Sequence, residues 1–144
     1  MTNIIFCGLG GQNIIFLSKL LSYHIIAQNK DIVVYENRGH AKQNGSVIVH
    51  MKVNSNSKYP KIDKKKADYM IYTDNDEKNR NSDFIKDNGK LIDLSNINSE
   101  NKNEKITKKL NRIIHTLAED GILNKDTENI NFIEEYSKHD FKNI

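Results

Sequence analysis

The sequence of 144 residues contains only one cysteine and one proline, and it has no tryptophan. Because Cys7 is alone, the chain cannot form an internal disulfide, and by itself it cannot supply the thiolates of a zinc site or an iron–sulfur cluster. No apolar run approaches the roughly 20 residues that span a bilayer. The first apolar run also lacks the basic flank of a signal peptide. These absences predict a cytoplasmic protein with no membrane association.

The charge balance also excludes a class of partner. Twenty-two Lys and Arg side chains against 19 Asp and Glu give a net charge of only +3, and the basic residues are spread along the chain. They do not alternate with aromatic residues, as they would on a platform for stacking bases, so we expect no nucleic-acid binding.

The length of the chain fits one domain. The apolar residues, 37% of the total, occur in blocks separated by polar loops, which indicates a folded domain and not a disordered chain.

The first third of the sequence has the pattern of a strand, a glycine loop, a helix and a second strand. Residues 3–7 form a short apolar run, typical of a strand buried on both faces of a sheet. Glycines interrupt residues 8–12, and apolar residues recur at helical spacing over residues 13–29. Residues 31–36 are rich in β-branched side chains. This order is the opening of a Rossmann-type fold.

The strand predicted over residues 46–53 breaks the regular alternation of strands and helices. The loop before it, residues 37–45, is too short to contain the crossover helix that a parallel return requires. Later elements are predicted as strands over 69–72 and 90–94, and as helices over 76–85, 106–117 and 127–136. The fold class expected is α/β: a single Rossmann-like domain over residues 1–144. Its sheet is mostly parallel, with helices on both faces and one irregular strand that could run antiparallel.

Three glycines mark a candidate binding turn. Gly8, Gly10 and Gly11 follow the first strand and precede a helix, where bare backbone can bring N–H groups close to a phosphate or carboxylate. A nicotinamide fingerprint requires a further glycine at position 13, but Asn13 stands there. Glu36 ends the second strand, where a dinucleotide site would place its ribose-binding acid. A small nucleotide-binding module therefore remains an alternative to a purely structural turn.

Two linked segments carry a more specific resemblance. The first is Gly-Leu-Gly-Gly-Gln over residues 8–12, and the second is Glu36 followed by Arg-Gly-His-Ala-Lys-Gln-Asn-Gly-Ser-Val over residues 38–47. Together they resemble the signature segments of the gamma-type catalytic-domain subunit of pyruvate and other 2-oxoacid:ferredoxin oxidoreductases. The resemblance is strongest to the beta subunit of indolepyruvate oxidoreductase. It extends to residues 62–71 and covers about the first half of the chain.

The resemblance implies that this chain is one subunit of an enzyme whose cofactors are carried by a partner subunit. The family oxidatively decarboxylates 2-oxoacids and passes the electrons to ferredoxin, with thiamine diphosphate and iron–sulfur clusters carried by a partner subunit. This chain would then bind no cofactor, hold no metal, contain no catalytic residue and be inactive alone. The residues that the resemblance assigns to ligand binding or to the subunit interface are Gly8, Gly10, Gly11, Gln12, Glu36, Arg38, Gly39, Gln43, Gly45 and Ser46.

Several positions depart from the family pattern. Asn13 replaces the last glycine of the turn, Gln43 replaces an arginine, and Asn44 replaces one of two paired glycines, while Arg38 stands at a position usually held by histidine. These changes support a further alternative, a degenerate paralogue that keeps the fold as a scaffold. The chain is also shorter than expected, and the shortening is predicted to lie between about residues 95 and 105.

Other reactive residues have simpler interpretations. Cys7 is predicted to be a buried strand residue, and Asp74 and Asp76 to cap a helix. The lysines at 64–66 are predicted to form a solvated loop, although they could attract an acidic partner. Among the histidines, only His40, which lies in the second signature segment, is a candidate for a functional role, and an ordinary surface residue is the simpler interpretation.

Overall fold

The computed structural model describes residues 1–39 and 45–124. The strands are β1 (Thr2–Leu9), β2 (Ile32–Arg38), β3 (Ser46–Val53), β4 (Ala67–Tyr72) and β5 (Ile85–Asp93). The helices are α1 (Ile14–Ala27), α2 (Asn75–Arg80) and α3 (Lys102–Glu119), with a short 3-10 helix at Ser82–Phe84. The helix predicted over 127–136 lies outside the described residues, as do His40, Gln43 and Asn44.

The described strands form one five-stranded sheet in the order β2-β3-β1-β4-β5. β1 is parallel to β4, and β4 is parallel to β5, whereas β3 is antiparallel to both of its neighbours, β1 and β2. Four strands therefore point in one direction and β3 points in the other. This confirms the α/β fold class and the irregular strand, and shows that β3 is inserted between β1 and β2.

Alternating side chains bury both faces of the sheet. On one face, Ile4 and Phe6 of β1 join the inward side chains of β3 and β4 beneath helices α1 and α3. On the other face, Ile5 and Cys7 of β1 belong to a smaller cluster. Phe84 of the 3-10 helix packs against that cluster. The period-two pattern of a half-buried or fully buried strand thus accounts for the two cores.

Polar caps set helix boundaries that apolar periodicity does not show. Asn101 accepts a 3.1 Å hydrogen bond from the Glu104 N–H, so α3 begins four residues before its predicted start. Asp74 accepts a 3.0 Å bond from the Glu77 N–H, which confirms its capping role at α2. The single helix predicted over 76–85 is wrong, because the chain leaves the α-helix at Asn81 and continues as the 3-10 helix. Within the described ranges, no helix is long and apolar enough to cross a membrane.

Candidate functional site

The glycine turn lies beside the start of β3. The Gln12 N–H donates a 3.1 Å hydrogen bond to the Leu9 carbonyl and closes the turn, in which Gly11 has a φ of 88°. The Gly10 N–H donates a 2.8 Å hydrogen bond to the Gly45 carbonyl. That bond joins the two sequence segments that carried the family resemblance, although they are 35 residues apart.

Gly8 is required by close packing and not by an unusual backbone conformation. A Cβ atom at this position would lie 2.7 Å from Ile14 Cγ1 and would also overlap Thr73 Oγ1. Such distances are far inside van der Waals contact, so the side chains of Thr73 and Ile14 would have to move to admit even a methyl group. Gly8 therefore brings the end of the strand against the helix, and it does not itself line the cleft beside the turn.

Gln12 stabilises the turn from within. Its Oε1 atom accepts hydrogen bonds from the Leu9 N–H and from the Thr73 hydroxyl, each 2.8 Å long. The side-chain oxygen is thus committed to the protein, and only the amide NH₂ could contact a ligand. Thr73, which follows β4, had no signal in the sequence because its contact depends on β4 lying next to β1.

Asn13 keeps the conformation that a glycine would have at the same position. Its φ and ψ are 65° and 22°, a left-handed conformation that asparagine tolerates better than most residues. The Asn13 side chain makes no capping hydrogen bond, and the first turn of α1 contains no acidic residue. The first turn of α1 therefore carries no negative charge of its own, and the helix dipole favours an anion at this end.

A cleft of about 430 Å³ opens between the glycine turn and the facing ends of β2 and β3. The Arg38 side chain is on its rim, 65% exposed, with Nη2 3.6 Å from Glu36 Oε2. The predicted site residues that line the cleft are Gly10, Gly11, Arg38, Gly39, Gly45 and Ser46. The helix N-terminus and the guanidinium suit an anionic group, such as a phosphate or a carboxylate, whereas the Gly10 and Gln12 N–H groups are already bonded within the protein.

Glu36 does not line this cleft, although its carboxylate contacts Arg38 on the rim. It lines a smaller pocket, of about 250 Å³, with Lys19 and Ser22 of α1. In a dinucleotide site the ribose-binding acid ends a strand adjacent to the strand of the glycine turn. Here β3 separates β2 from β1, so Glu36 is one strand too far away. The strand order therefore counts against a dinucleotide site at this turn.

A buried acid holds Ser46 in place. The Ser46 hydroxyl donates a 2.7 Å hydrogen bond to Glu77 Oε1 and accepts a 2.9 Å bond from Arg80 Nη1. Arg80 also lies 3.1 Å from Glu77 Oε1, and Glu77 is only 2% exposed. Sequence reasoning missed Glu77 and Arg80, because nothing in α2 indicates that its side chains reach the start of β3.

The environment of Cys7 does not fit an iron–sulfur cluster. The residue is fully buried, and burial, reinforced by the negative charges of Glu77 and Asp74, raises its thiol pKa to about 12. Clusters are held by several cysteine thiolates, whereas this chain has one cysteine, protonated at neutral pH. The described part of the chain also contains no group of three or more His, Cys, Asp or Glu residues that could hold a metal ion.

Known structures share this fold at low sequence identity. The keto/oxoacid ferredoxin oxidoreductase gamma subunit from Geobacter sulfurreducens PCA has a TM-score of 0.67 and 16% identity, over 97% of this chain and 87% of that one. Pyruvate oxidoreductase subunit PORC from Thermotoga maritima has a TM-score of 0.53 and 16% identity, over 75% of this chain and 55% of that one.

A third structure is 2-oxoglutarate:ferredoxin oxidoreductase from Magnetococcus marinus, which was solved with 2-oxoglutarate, coenzyme A and succinyl-CoA bound. Its TM-score is 0.67 at 13% identity, over 95% of this chain and 27% of that one. No curated protein matches the sequence. The model of the pyruvate ferredoxin/flavodoxin oxidoreductase family, however, matches residues 3–133, which is most of the chain. The chain therefore belongs to the pyruvate ferredoxin/flavodoxin oxidoreductase family.

Proposed function

We propose that this chain is the subunit without cofactors in a 2-oxoacid:ferredoxin oxidoreductase complex of the cytoplasm. The complex would oxidatively decarboxylate a 2-oxoacid and pass the electrons to ferredoxin. The observation that carries the proposal is the hydrogen bond from the Gly10 N–H to the Gly45 carbonyl, at 2.8 Å. It brings described residues of both signature segments, among them Gly10, Arg38 and Ser46, to one cleft in a chain that the family model covers over residues 3–133.

The chemistry of the cleft supports an assisting role. The Arg38 guanidinium on its rim and the N-terminal end of the α1 dipole together favour an anionic group. The Ser46 hydroxyl is the one potential nucleophile among the described lining residues, and its bonds to Glu77 and Arg80 hold it in place, so we assign the cleft a binding role. We assign to it one wall of a site that is completed by the partner subunit.

The cofactors are assigned to that partner. Thiamine diphosphate supplies the electron sink for decarboxylation, and iron–sulfur clusters supply one-electron transfer to ferredoxin. The protonated thiol of Cys7 supports placing the clusters on another chain. For the substrate we propose a 2-oxoacid of the indolepyruvate or pyruvate type, on the resemblance of residues 8–12 and 36–47 to the indolepyruvate enzyme.

The test is an anaerobic assay of the complex, assembled from this chain and the thiamine-dependent subunit of its host. Ferredoxin reduction is measured with indolepyruvate, pyruvate and 2-oxoglutarate, using the complex and each subunit alone. We expect activity from the complex with indolepyruvate or pyruvate, and none from this chain alone. A partner subunit that is equally active without this chain would contradict the proposal.

A variant pair tests the cleft itself. Arg38→Gln should weaken binding of an anionic substrate group by about 10- to 100-fold, as expected for loss of a charged hydrogen-bond donor. Lys108→Gln removes the same charge from an exposed position on α3, where it pairs with Glu104, and should leave the kinetics unchanged. Equal kinetics for the two variants would remove the cleft from the proposal.

A further inference from the structure

A second cavity, which we name the His50 cavity, lies on the opposite face of the sheet from α1. Its volume is about 420 Å³, and it shares no lining residue with the cleft at the glycine turn. Tyr35 and Asn37 of β2 and Ile48 and His50 of β3 form its floor, and Lys61 is on the loop above. The volume is in the range of about 300–1,000 Å³ that is usual for small-molecule sites.

His50 in the lining of this cavity is an uncharged imidazole held in one orientation. The ring is 5% exposed, and its Nδ1 atom accepts a 2.9 Å hydrogen bond from the Ile62 N–H. A neutral imidazole with Nδ1 as acceptor carries its proton on Nε2. Burial, together with the positive charges of Lys61 and Lys52, lowers the pKa of His50 to about 4. The ring is therefore neutral at physiological pH.

Aromatic rings contact His50 and two of the lysines around the cavity. The His50 ring meets Tyr35 and Phe84 edge to face, with centroids 5.6 Å and 5.2 Å away. Lys61 Nζ lies 5.1 Å from the centre of the Tyr35 ring, and Lys52 Nζ lies 5.6 Å from the centre of the Tyr59 ring. Cation–π contacts of this kind keep a lysine ordered without neutralising its charge.

The charge of the cavity is positive. Lys61 and Lys64 line it against a single acid, Asp63. The ion pairs formed among the described residues involve none of these three side chains, nor Lys52. An anion entering here would therefore meet lysines that have no carboxylate to release. Tyr59 adds an aromatic surface that is 59% exposed to solvent.

We propose that the His50 cavity binds a small phosphorylated ligand with an aromatic ring, of the size of a mononucleotide. The phosphate would lie beside Lys61 and Lys64, since an ammonium is a good partner for a compact dianion. The ring of the ligand would stack on Tyr59, a contact that tolerates any planar base. Asp63 disfavours a second phosphate close to the first, so a monophosphate fits better than a longer chain.

The test is a titration of the full chain, labelled with ¹⁵N, followed by two-dimensional NMR. The probes are adenosine monophosphate, inorganic phosphate and adenosine, each up to millimolar concentration. We expect saturable shifts with the monophosphate at the amides of His50, Lys61 and Ile62, and at least tenfold weaker binding of phosphate alone and of adenosine alone. Three results would each overturn the proposal: no saturable shift, shifts confined to the glycine turn, or phosphate binding as tightly as the nucleotide.

Variants show which contacts carry the binding. Lys61→Gln and Tyr59→Ala should each weaken binding of adenosine monophosphate at least tenfold, whereas Lys108→Gln should not change it. The spectrum of each variant outside the cavity shows whether the fold is intact. Unchanged affinity in the folded Lys61→Gln variant would contradict the proposal, whatever the outcome of the oxidoreductase assay.

Discussion

Ser46 and Glu77, 31 positions apart in the sequence, share a hydrogen bond of 2.7 Å at the back of the glycine-turn cleft. Glu77 is 2% exposed and is also paired with Arg80. The bond links the first residue of β3, which lines the cleft, to the short helix α2. The shape of the cleft therefore depends on an element that forms no part of either signature segment.

Ser46→Ala should lower the free energy of unfolding by about 1.5–3 kcal/mol, because it takes a hydrogen bond from a buried charged group. Urea denaturation measures this loss. The matched control is Ser57→Ala, whose exposed hydroxyl oxygen accepts a 3.2 Å hydrogen bond from the Tyr59 N–H. The control should stay within about 0.5 kcal/mol of the wild type. Equal effects of the two substitutions would show that the Glu77 bond contributes little.

Asn13 gives a direct test of whether the altered turn is degenerate. With a φ of 65° and no capping hydrogen bond from its side chain, Asn13→Gly should keep or raise the free energy of unfolding. Asn13→Ala should lower it by about 1–2 kcal/mol, since alanine pays the full cost of the left-handed conformation. Urea denaturation of the two variants measures this difference in the free energy of unfolding. If alanine is as stable as glycine, the turn does not depend on this conformation.

Cys7 should resist alkylation in the folded protein. Its pKa is raised to about 12, mainly by burial, so the thiolate is scarce at neutral pH and the sulfur is inaccessible. Iodoacetamide at about pH 8 should modify the protein in urea and leave the native form unmodified over the same time. Rapid labelling of the native protein, followed by mass spectrometry, would contradict this.

The raised pKa of Cys7 should also lower the free energy of unfolding at alkaline pH. The stabilisation from the protonated thiol is complete below its ordinary pKa of 9.0 and is lost as the pH rises towards about 12. At about pH 10.5, wild type should have lost about 2 kcal/mol more than Cys7→Ala, relative to pH 8. Parallel curves for the two proteins would show that Cys7 does not titrate in this window.

His50 should make the fold sensitive to acid. Its pKa falls from 6.5 in the unfolded chain to about 4 in the folded one, so its stabilisation is complete above 6.5 and is lost as the pH falls towards 4. Between pH 7 and about pH 4.5 wild type should lose about 2.5 kcal/mol more than His50→Gln, whose amide oxygen can accept the Ile62 N–H without titrating. The free energy of unfolding, measured across this range, tests the difference.

The sequence predicts those parts of the fold that local patterns determine. The apolar run in β1 and the alternation of Val49, Met51 and Val53 in β3 identify strands, and the alternation assigns their buried faces correctly. The short loop before β3 also predicts that this strand breaks the parallel pattern. The position of β3 between β1 and β2 was not predictable, because strand order depends on pairings between residues far apart in the chain.

The predicted boundaries of strands and helices are wrong where polar residues determine them. β5 begins at Ile85, five residues before its predicted start, because Ile85 pairs with Ala67 across a bulge while the residues between lack an apolar pattern. The shortening predicted between about residues 95 and 105 stays a prediction. At the site, the glycines and Ser46 could be named from the sequence, whereas Glu77 and Thr73 could not, since folding alone brings them to the turn.

The most direct test of the proposed complex is affinity purification of the tagged chain from its native host under anaerobic conditions. The associated proteins are identified by mass spectrometry, and thiamine diphosphate and iron are measured in the same sample. The account predicts that one subunit carrying thiamine diphosphate and iron–sulfur clusters is recovered in a fixed ratio with this chain. Recovery of the chain alone, as a monomer without either cofactor, would contradict it.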